Sequence, residues 1–470
     1  MDESPLSRWE RAGVRVKPTV HSIRPAANLA TILLSALLFL YPAVLNHYPL
    51  VFSDTGGFLE QALLPDMGWD KPWVYGPFLT PLHAKRTLWL AAYAQCLILS
   101  ATLWLTQASL RPPNRIHHIT LCAILAAGTA APWFASLLMP DSLAPIAVLG
   151  LYILAANRLS RLTLGATALL TTIAIASHLA HLILAAACLV ALAIFDRRSL
   201  LRTAPPLAAA LLFLLASNWL GHGRLAISPY GANFALARLV ADGPARTTIQ
   251  EACPAAGWHV CAWRDHLPDN ADDFLWDPNG PVWANGYGPL RIAPEAAEIV
   301  RATVLAHPIP VLVAALANTA RQLAMVEVGD TLVPDHLDVA VKPRIQLFFP
   351  PPEAMRFTAG RQFNGTLEAP PATLQLALLL AGALATVAIA IRNRHFRPLA
   401  TLILIALLAN AAATGALSGP HHRYQARIAW LVTIAPLLYV LGARATETLA
   451  GATPPARPPP PPASDESSAG

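Results

Sequence analysis

The sequence has few charged residues for its length. Only 13% of its 470 residues are Asp, Glu, Lys or Arg, against about 25% in soluble domains, and 55% are hydrophobic. Apolar runs separated by short Arg-rich connectors account for this deficit, which excludes an ordinary soluble globular protein. The basic residues, of which four are Lys, form no stripe interleaved with aromatic residues on a polar face, so we expect no nucleic-acid partner.

Several catalytic and nucleotide-binding motifs are also missing. The sequence contains no G-x-x-x-x-G-K-[ST], H-E-x-x-H, G-x-S-x-G or C-x-x-C. ATP-driven transport, zinc proteolysis and serine hydrolysis therefore have no support. No cleavable signal sequence precedes the first apolar run, so we expect the first helix to be retained as an anchor.

Long apolar runs are what the sequence does contain. They predict an all-α polytopic membrane protein with about ten transmembrane helices, since a helix crosses the hydrocarbon core with about 20 apolar residues. We expect seven spans in a module over 27–220 and three in a second module over 371–445. The runs lie at 27–46, 87–109, 118–138, 141–156, 163–177, 180–195, 204–220, 371–391, 399–417 and 428–444.

The polar segments between these runs predict the remaining organisation. A basic N-terminal segment covers 1–26, and the first outer loop covers 47–86. We expect a mixed outer domain over 221–370, with a helix near 303–325 lying along the membrane surface because its apolar residues are flanked by polar ones. The Pro-rich tail at 446–470 has nothing apolar to bury and is predicted to be disordered.

Arginine in the short connectors predicts the orientation. The connectors at 110–117, 157–162, 196–202 and 392–398 all contain Arg and fall on one side of the predicted membrane. Short cytoplasmic loops carry the excess of Lys and Arg, so this side is predicted to be cytoplasmic. Together with the abundance of Ala, Pro and Arg, the pattern indicates a multi-pass protein of the bacterial inner membrane with a cytoplasmic N-terminus.

Two aspartates on the predicted outer side are candidate catalytic residues. Asp54 lies in a Ser-Asp-Thr-Gly-Gly sequence just after the first apolar run, and Asp141 lies at a Pro-Asp-Ser turn between two runs. Each also has a purely structural interpretation. Asp54 suits a turn before the glycines, and Asp141 suits the N-cap of the next helix.

A basic cluster precedes the last apolar run. His422, Arg423 and Arg427, with a tyrosine between the arginines, are predicted to lie at the outer membrane boundary. A guanidinium pairs with phosphate in a bidentate manner, so the cluster is a candidate site for a lipid phosphate. The alternative is that these arginines only extend from a helix end toward the headgroups.

The remaining candidates are histidines and cysteines. His178 and His181 have helical spacing, but no Cys or carboxylate lies beside them, so we interpret them as residues of an interfacial hairpin and not as metal ligands. Cys253 and Cys261 lie in the predicted outer domain. They are disulfide candidates if that domain faces an oxidising compartment, and free thiols otherwise.

The layout resembles the C-type membrane glycosyltransferase superfamily (GT-C). The likeness rests on Ser-Asp-Thr-Gly-Gly at 53–57, Pro-Asp-Ser at 140–142 and His-Arg-Tyr at 422–424. The chain is also similar, over most of its length, to a group of bacterial polytopic membrane proteins with no assigned activity. That second likeness rests on the loop from Cys253 through Cys261-Ala-Trp-Arg-Asp-His-Leu-Pro, on Phe274-Leu-Trp276, and on His421-His-Arg-Tyr-Gln-Ala-Arg427.

The resemblance to the glycosyltransferases implies a polyprenyl-phosphate-linked sugar as donor, drawn from membrane lipid, and an acceptor on the outer face. Asp54 would be the general base, Asp141 would orient the acceptor or hold a divalent metal, and Arg423 with His422 or Arg427 would bind the donor phosphate. The first loop lacks a second acidic residue next to Asp54, which weakens the expectation of a metal. The competing hypothesis is a non-enzymatic transporter, flippase or scaffold for envelope components. The sequence leaves the oligomeric state open.

Overall fold

The computed structural model describes residues 25–64 and 67–450, with side chains described up to residue 442. These residues form helices and loops and contain no strand, and a single isolated parallel bridge joins Leu50 to Leu137. The predicted segments 1–26 and 446–470 lie outside the described residues except at their inner ends. The all-helical prediction is therefore confirmed for the described part of the chain.

The first half of the described chain contains eleven helices. In order they are α1 (Pro25–Phe39), α2 (Tyr41–Asn46), α3 (Ser53–Leu63), α4 (Tyr75–His83), α5 (Leu88–Leu110), α6 (Arg115–Gly128), α7 (Ala131–Ala135), α8 (Ala144–Ala156), α9 (Arg161–Ala176), α10 (Leu179–Phe195) and α11 (Leu200–His222). A 3₁₀ turn at Pro140–Leu143 leads into α8.

The second half of the described chain contains another eleven α-helices. They are α12 (Gly231–Ala241), α13 (Pro244–Ala252), α14 (Ala271–Trp276), α15 (Pro289–Ala306), α16 (Pro308–Ala324), α17 (Lys342–Phe348), α18 (Pro351–Ala359), α19 (Ala372–Arg392), α20 (Arg397–Leu417), α21 (His422–Ala429) and α22 (Ile434–Ala450). A π-helical turn at Leu337–Val341 precedes α17.

Five helical stretches of the described residues are long and apolar enough to cross a membrane. They are Leu88–Leu110, Arg197–His222, Ala372–Arg392, Arg397–Leu417 and His422–Gly442. The other five predicted spans correspond to shorter apolar helices, at Ala26–Phe39, Arg115–Gly128, Pro140–Ala156, Arg161–Ala176 and Leu179–Phe195. The run predicted as one helix at 118–138 is broken at residues 129–130, because α6 ends at Gly128 and α7 begins at Ala131.

Helix α8 is the centre of the main core. Every residue from Ala144 to Ala155 is buried, so the helix is apolar around its whole circumference, as a helix enclosed by others must be. It contacts α5, α9, α10, α11 and α20 and ends at Asn157, which adopts the left-handed conformation with φ 51°. The 3₁₀ turn that carries Asp141 leads directly into this helix.

Arginines of the short connectors satisfy carbonyl groups at the ends of neighbouring helices. The guanidinium of Arg158 donates to the Leu110 carbonyl, and that of Arg202 donates to the carbonyls of Leu154 and Ala155 at 3.1 and 3.0 Å. The last carbonyls of a helix have no partner within it, and cations are favourable beside them. The connector arginines thus stabilise helix ends, in addition to the topological signal that they give.

The segment predicted as a mixed outer domain consists of helices and loops, with no strand among its residues, and its two parts differ in packing. Helices α12–α15 enclose a second, smaller core around Leu236, Ile249 and Phe274, in which Cys253 and Cys261 form a disulfide with a Cα–Cα distance of 5.5 Å. Residues 326–357 instead contribute apolar side chains to the main core. This second part connects the loops around residues 46–55 to the rest of the molecule.

The surface helix predicted near 303–325 is two helices. Helices α15 and α16 meet at His307 and are bent by 102°. Helix α16 packs along α20, where Gly415 permits a close approach: a Cβ atom at residue 415 would lie 2.6 Å from the carbonyl oxygen of Asn318. Side chains on the other side of α16 are exposed and apolar, including Ile309, Leu312 and Leu316.

Gly56 allows α3 to approach the π-helical turn, which leads to a stability prediction. A Cβ atom at residue 56 would lie 1.8 Å from the Ala340 carbonyl oxygen, whereas one at Gly165 in α9 would have no neighbour within 4 Å. We expect Gly56→Ala to destabilise the protein by about 1–3 kcal/mol through overpacking. The matched substitution Gly165→Ala should leave stability unchanged or raise it, because Ala favours the helix. Thermal unfolding in detergent measures both, and equal midpoints for the two variants would contradict the packing.

Candidate functional site

Asp54 lies in the first turn of α3 and does not cap it. The N-cap residue is Phe52, whose N–H donates to the hydroxyl of Thr55 at 2.9 Å, and that hydroxyl donates in turn to the Leu138 carbonyl at 2.9 Å. The carboxylate of Asp54 is therefore free for other partners. A negative charge in the first turn is also favourable, since the helix dipole is positive there.

Two cations hold the Asp54 carboxylate. Lys71 Nζ donates to Oδ1 at 2.9 Å, and Arg423 Nη1 lies 3.5 Å from Oδ2. The Asp54 side chain remains 32% exposed, so this ion-pair cluster is open to an incoming ligand. The three residues Asp54, Lys71 and Arg423 are called the open cluster below.

Lys71 is a residue of the open cluster that the sequence analysis missed. Its ammonium group also contacts Asp70 at 2.8 Å and lies 5.2 Å from the ring centroid of Phe58. The loop that carries it is anchored by Trp69, which stacks on Phe234 of α12 with a centroid distance of 5.3 Å. A signal was present, because Lys71 is one of only four lysines in the chain.

Arg423 is fixed by its backbone and by aromatic rings. Its N–H donates to Asp330 Oδ2 at 2.8 Å, at the start of α21. Its guanidinium lies over the rings of Phe52 and Tyr424, with centroid distances of 4.5 and 4.7 Å, and donates to the Tyr424 hydroxyl at 3.0 Å. Cation–π contacts of this kind hold the side chain in one orientation. Asp330, which the sequence analysis also missed, therefore positions the residue that meets Asp54.

Asp141 and Arg427 form a separate, fully buried pair. Arg427 Nη1 lies 3.2 Å from Asp141 Oδ1, and the two side chains are 0% and 3% exposed. Arg427 Nη2 also donates to Asn410 Oδ1 at 2.9 Å. The 3₁₀ turn containing Asp141 and helix α8 have no side-chain cap at their starts, so Asp141 does not act as an N-cap.

The buried pair and the open cluster adjoin each other at Tyr424. The guanidinium of Arg423 lies 4.7 Å from the Tyr424 ring centroid, and that of Arg427 lies 5.4 Å from it. Four of the predicted site residues, Asp54, Asp141, Arg423 and Arg427, are therefore brought together. Each pair joins distant parts of the chain: Asp54 and Arg423 are 369 positions apart, and Asp141 and Arg427 are 286 positions apart.

His422 is the predicted site residue that lies apart from them. Its Nδ1 accepts a hydrogen bond from the Glu327 N–H at 3.1 Å, which directs the ring to the segment after α16. His178, interpreted from the sequence as a hairpin residue, has its ring centroid 6.3 Å from that of Tyr424 and 5.1 Å from that of His181. No group of three or more His, Cys, Asp or Glu side chains in the described residues could hold a metal ion.

The two cations of the open cluster control the ionisation of Asp54. Burial opposes the charged form, but the charges of Lys71 and then Arg423 outweigh it and lower the pKa of Asp54 to about 2. Asp54 in turn helps to raise the pKa of Lys71, against the opposing effect of burial. At neutral pH the cluster therefore holds one carboxylate and two cations, with an excess of one positive charge before Asp70 is counted.

Comparison of the chain with protein-family models, with curated proteins and with solved structures finds no match.

The two aspartates differ in their environment, which leads to a paired prediction. Asp141→Asn leaves the charge of Arg427 buried without a counter-ion, so it should destabilise the protein by about 3–5 kcal/mol. Asp54→Asn makes the same chemical change at a carboxylate that is 32% exposed, where an ion pair contributes about 0–1 kcal/mol. Thermal midpoints of both variants in the same detergent test this difference, and a larger loss for Asp54→Asn would contradict it.

Proposed function

We propose that the protein is an integral membrane glycosyltransferase that transfers a sugar from a polyprenyl-phosphate donor to an acceptor on the outer face. The observation that carries this proposal is the open cluster, in which one accessible carboxylate lies between a lysine and an arginine. Such a site offers a base for a hydroxyl group and two cations for a phosphate. Both requirements are met within a single ion-pair cluster.

The chemistry assigns one task to each member of the cluster. The acceptor hydroxyl oxygen attacks the anomeric carbon of the donor sugar, and its proton passes to the Asp54 carboxylate. The bond between the anomeric carbon and the phosphate oxygen breaks, and polyprenyl phosphate leaves with the electron pair. The leaving phosphate gains one negative charge, which Arg423 and Lys71 stabilise because their charges are already in place.

Phosphate binding also changes Asp54 into a better base. A carboxyl group with a pKa of about 2 takes up a proton poorly at neutral pH. A donor phosphate next to Arg423 and Lys71 competes with Asp54 for their charge and so raises the pKa of Asp54. The base is thus activated only when the donor is bound, which favours transfer to the acceptor over unproductive proton exchange.

Arg427 has a different role in this proposal from the one that the sequence predicts. Its guanidinium is fully buried and already bound to Asp141 and Asn410, so it has no accessible face for a phosphate. We assign donor binding to Arg423 and Lys71 and the fixing of α21 to the Asp141–Arg427 pair. Acceptor orientation by Asp141 then has no support, because its carboxylate is only 3% exposed.

The proposed orientation places ten spans in the inner membrane, with the N-terminus and the 392–398 connector in the cytoplasm. The Arg-rich connectors support it, and Arg423 at the beginning of the candidate span His422–Gly442 would then lie at headgroup depth on the outer side. Membrane-impermeant thiol labelling of Asn393→Cys in intact cells, in a background without other accessible cysteines, should give no signal. Strong labelling from outside would show that the 392–398 connector is not cytoplasmic and would contradict the proposed orientation.

One observation favours the competing transporter function. A buried pair such as Asp141–Arg427, between apolar helices, is typical of proteins that move ions or protons through the membrane. In a transporter the pair must open during each cycle, whereas in the proposed enzyme it stays closed. A transporter needs two compartments separated by a membrane, whereas an enzyme does not. Transfer of labelled sugar to an acceptor by purified protein in detergent would therefore favour the enzyme.

Asp54→Asn tests the proposed base. The change keeps size and polarity but removes the proton acceptor, and general-base catalysis contributes about 10²–10⁴-fold, so the transfer rate should fall at least 100-fold. Asp70→Asn is the matched control, because Asp70 contacts Lys71 but has no ion pair with Arg423. Rates are measured with polyprenyl-phosphate-linked monosaccharides in nanodiscs. Equal losses in the two variants would remove the assignment of Asp54 as base.

Lys71→Gln tests the electrostatic control of that base. Lys71 is the largest favourable influence on the Asp54 carboxylate, so its removal should raise the pKa of Asp54. A lowered pKa keeps Asp54 ionised in the wild type, and its protonation should not limit kcat/KM down to about pH 4. In the variant, the acid limb should move to higher pH as Asp54 takes up its proton sooner. If the pH dependence of kcat/KM is the same in the variant and the wild type, Lys71 does not set the pKa of Asp54.

A further inference from the structure

A second site lies beside the open cluster, in a cavity of about 500 Å³. Its walls come from the end of α12, the start of α14, one side of α16 and the loop 418–421 that leads into α21. The volume lies within the range of ordinary small-molecule sites, about 300–1,000 Å³. No residue of the cavity belongs to the open cluster or to the buried pair.

The deep wall of the cavity is an organised set of polar groups. Arg238 Nη2 donates to Asp242 Oδ1 at 2.6 Å, and Asn318 Nδ2 donates to both oxygens of the same carboxylate at 2.9 Å. Arg238 Nε is buried and has no hydrogen-bond partner. Buried donors are nearly always satisfied, so this wall residue retains a hydrogen-bond donor that a ligand could use.

The charges of the cavity walls favour a neutral ligand. Two arginines, Arg238 and Arg321, face the cavity together with the carboxylates of Asp242, Asp269 and Asp272. Burial lowers the pKa of His421, whose ring is therefore neutral at pH 7. Asp242 is paired with Arg238 and Asp269 with Arg246, which leaves Arg321 and Asp272 as the remaining charges. The walls therefore carry no excess of either sign that would select an anion or a cation.

The side chains of the cavity also suit hydroxyl groups. Carboxylates accept hydrogen bonds from hydroxyl groups and guanidinium groups donate to them, while the amides of Asn270 and Asn318 in the wall can do both. Alanines at 241, 271, 314 and 317 leave space between these polar groups. A compact ligand with several hydroxyls could then bond to many of them at once.

A hydrogen-bonded path of two side chains joins the cavity wall to the open cluster. Ser418, in the cavity wall, has its hydroxyl 3.2 Å from that of Tyr424. The Tyr424 hydroxyl accepts from Arg423, which meets Asp54. Tyr424 alone therefore separates Ser418, in the cavity wall, from Arg423.

We infer that this cavity binds a neutral, hydroxyl-rich carbohydrate and that it is the acceptor site of the transfer reaction. The assignment of the carbohydrate as acceptor rests on the proposed function. The binding of a neutral carbohydrate does not, because it follows from the cavity alone. The acceptor hydroxyl would extend past Ser418 toward Asp54, and the rest of the carbohydrate would occupy the cavity.

Saturation-transfer NMR on the full-length protein in nanodiscs tests the binding. The probes are methyl glycosides of glucose, galactose and mannose, with glucuronate and glucosamine as anionic and cationic comparisons. We expect at least one neutral glycoside to bind and both charged sugars to bind more weakly. Ala317→Leu, which fills the cavity, should weaken that binding roughly tenfold. Ala320→Leu, an equally exposed position of α16 outside the cavity, should leave it unchanged.

Three results would overturn the inference: no glycoside signal, stronger binding of a charged sugar, or equal effects of the two leucine variants. Failure of the proposed function is distinguishable, because Asp54→Asn removes the base and leaves the cavity intact. Glycoside binding that survives in Asp54→Asn, without any transfer by the wild type, would support the carbohydrate site and reject the enzyme. Transfer that is unaffected by Ala317→Leu would reject the acceptor site alone.

Discussion

The architecture of the site depends on two arginines one helical turn apart on α21, each facing an aspartate from a distant part of the chain. Arg427, one turn further along, is fully buried and is neutralised by Asp141, while Arg423 near the start of the helix meets the partly exposed Asp54. A buried charge without a partner is strongly destabilising, so α21 can occupy its position only when the Asp141 turn is also in place. The inner pair thereby fixes the helix that presents the outer arginine, and Tyr424 lies between the two guanidinium groups.

The smaller core and the segment after α16 complete the site from two directions. Trp69 packs on Phe234 in the smaller core and so places the loop of Lys71 beside Asp54. Asp330 accepts a hydrogen bond from the backbone of Arg423, and burial raises the pKa of this carboxyl group. Substitutions that disturb either region should therefore displace Lys71 or Arg423 relative to Asp54. The cavity lined by Ser418 adjoins the same residues, and its walls include residues of α12, α14 and α16.

The sequence predicted the helical class, and it singled out four candidate residues that the structure brings together, because each leaves a local signal. Apolar runs mark helices, and an aspartate next to Thr-Gly-Gly or within Pro-Asp-Ser is conspicuous in a chain with 13% charged residues. It did not predict Lys71 or Asp330, whose partners are distant in sequence or belong to the backbone. It also placed one continuous helix at 118–138 and another at 303–325, where the structure has a break at residues 129–130 and a bend at His307. Hydropathy averages over a window, so it registers the apolar run and misses the break.

In the proposed mechanism, Asp54 and a lipid phosphate compete for the same two cations. The most direct measurement is the Kd of polyprenyl phosphate, the proposed leaving group, for wild-type protein and for Asp54→Asn in identical nanodiscs. Removal of the carboxylate charge frees Arg423 and Lys71, so Asp54→Asn should bind polyprenyl phosphate more tightly than the wild type, although it transfers no sugar. An unchanged or higher Kd in the variant would show that the phosphate does not bind at these cations and would contradict the account.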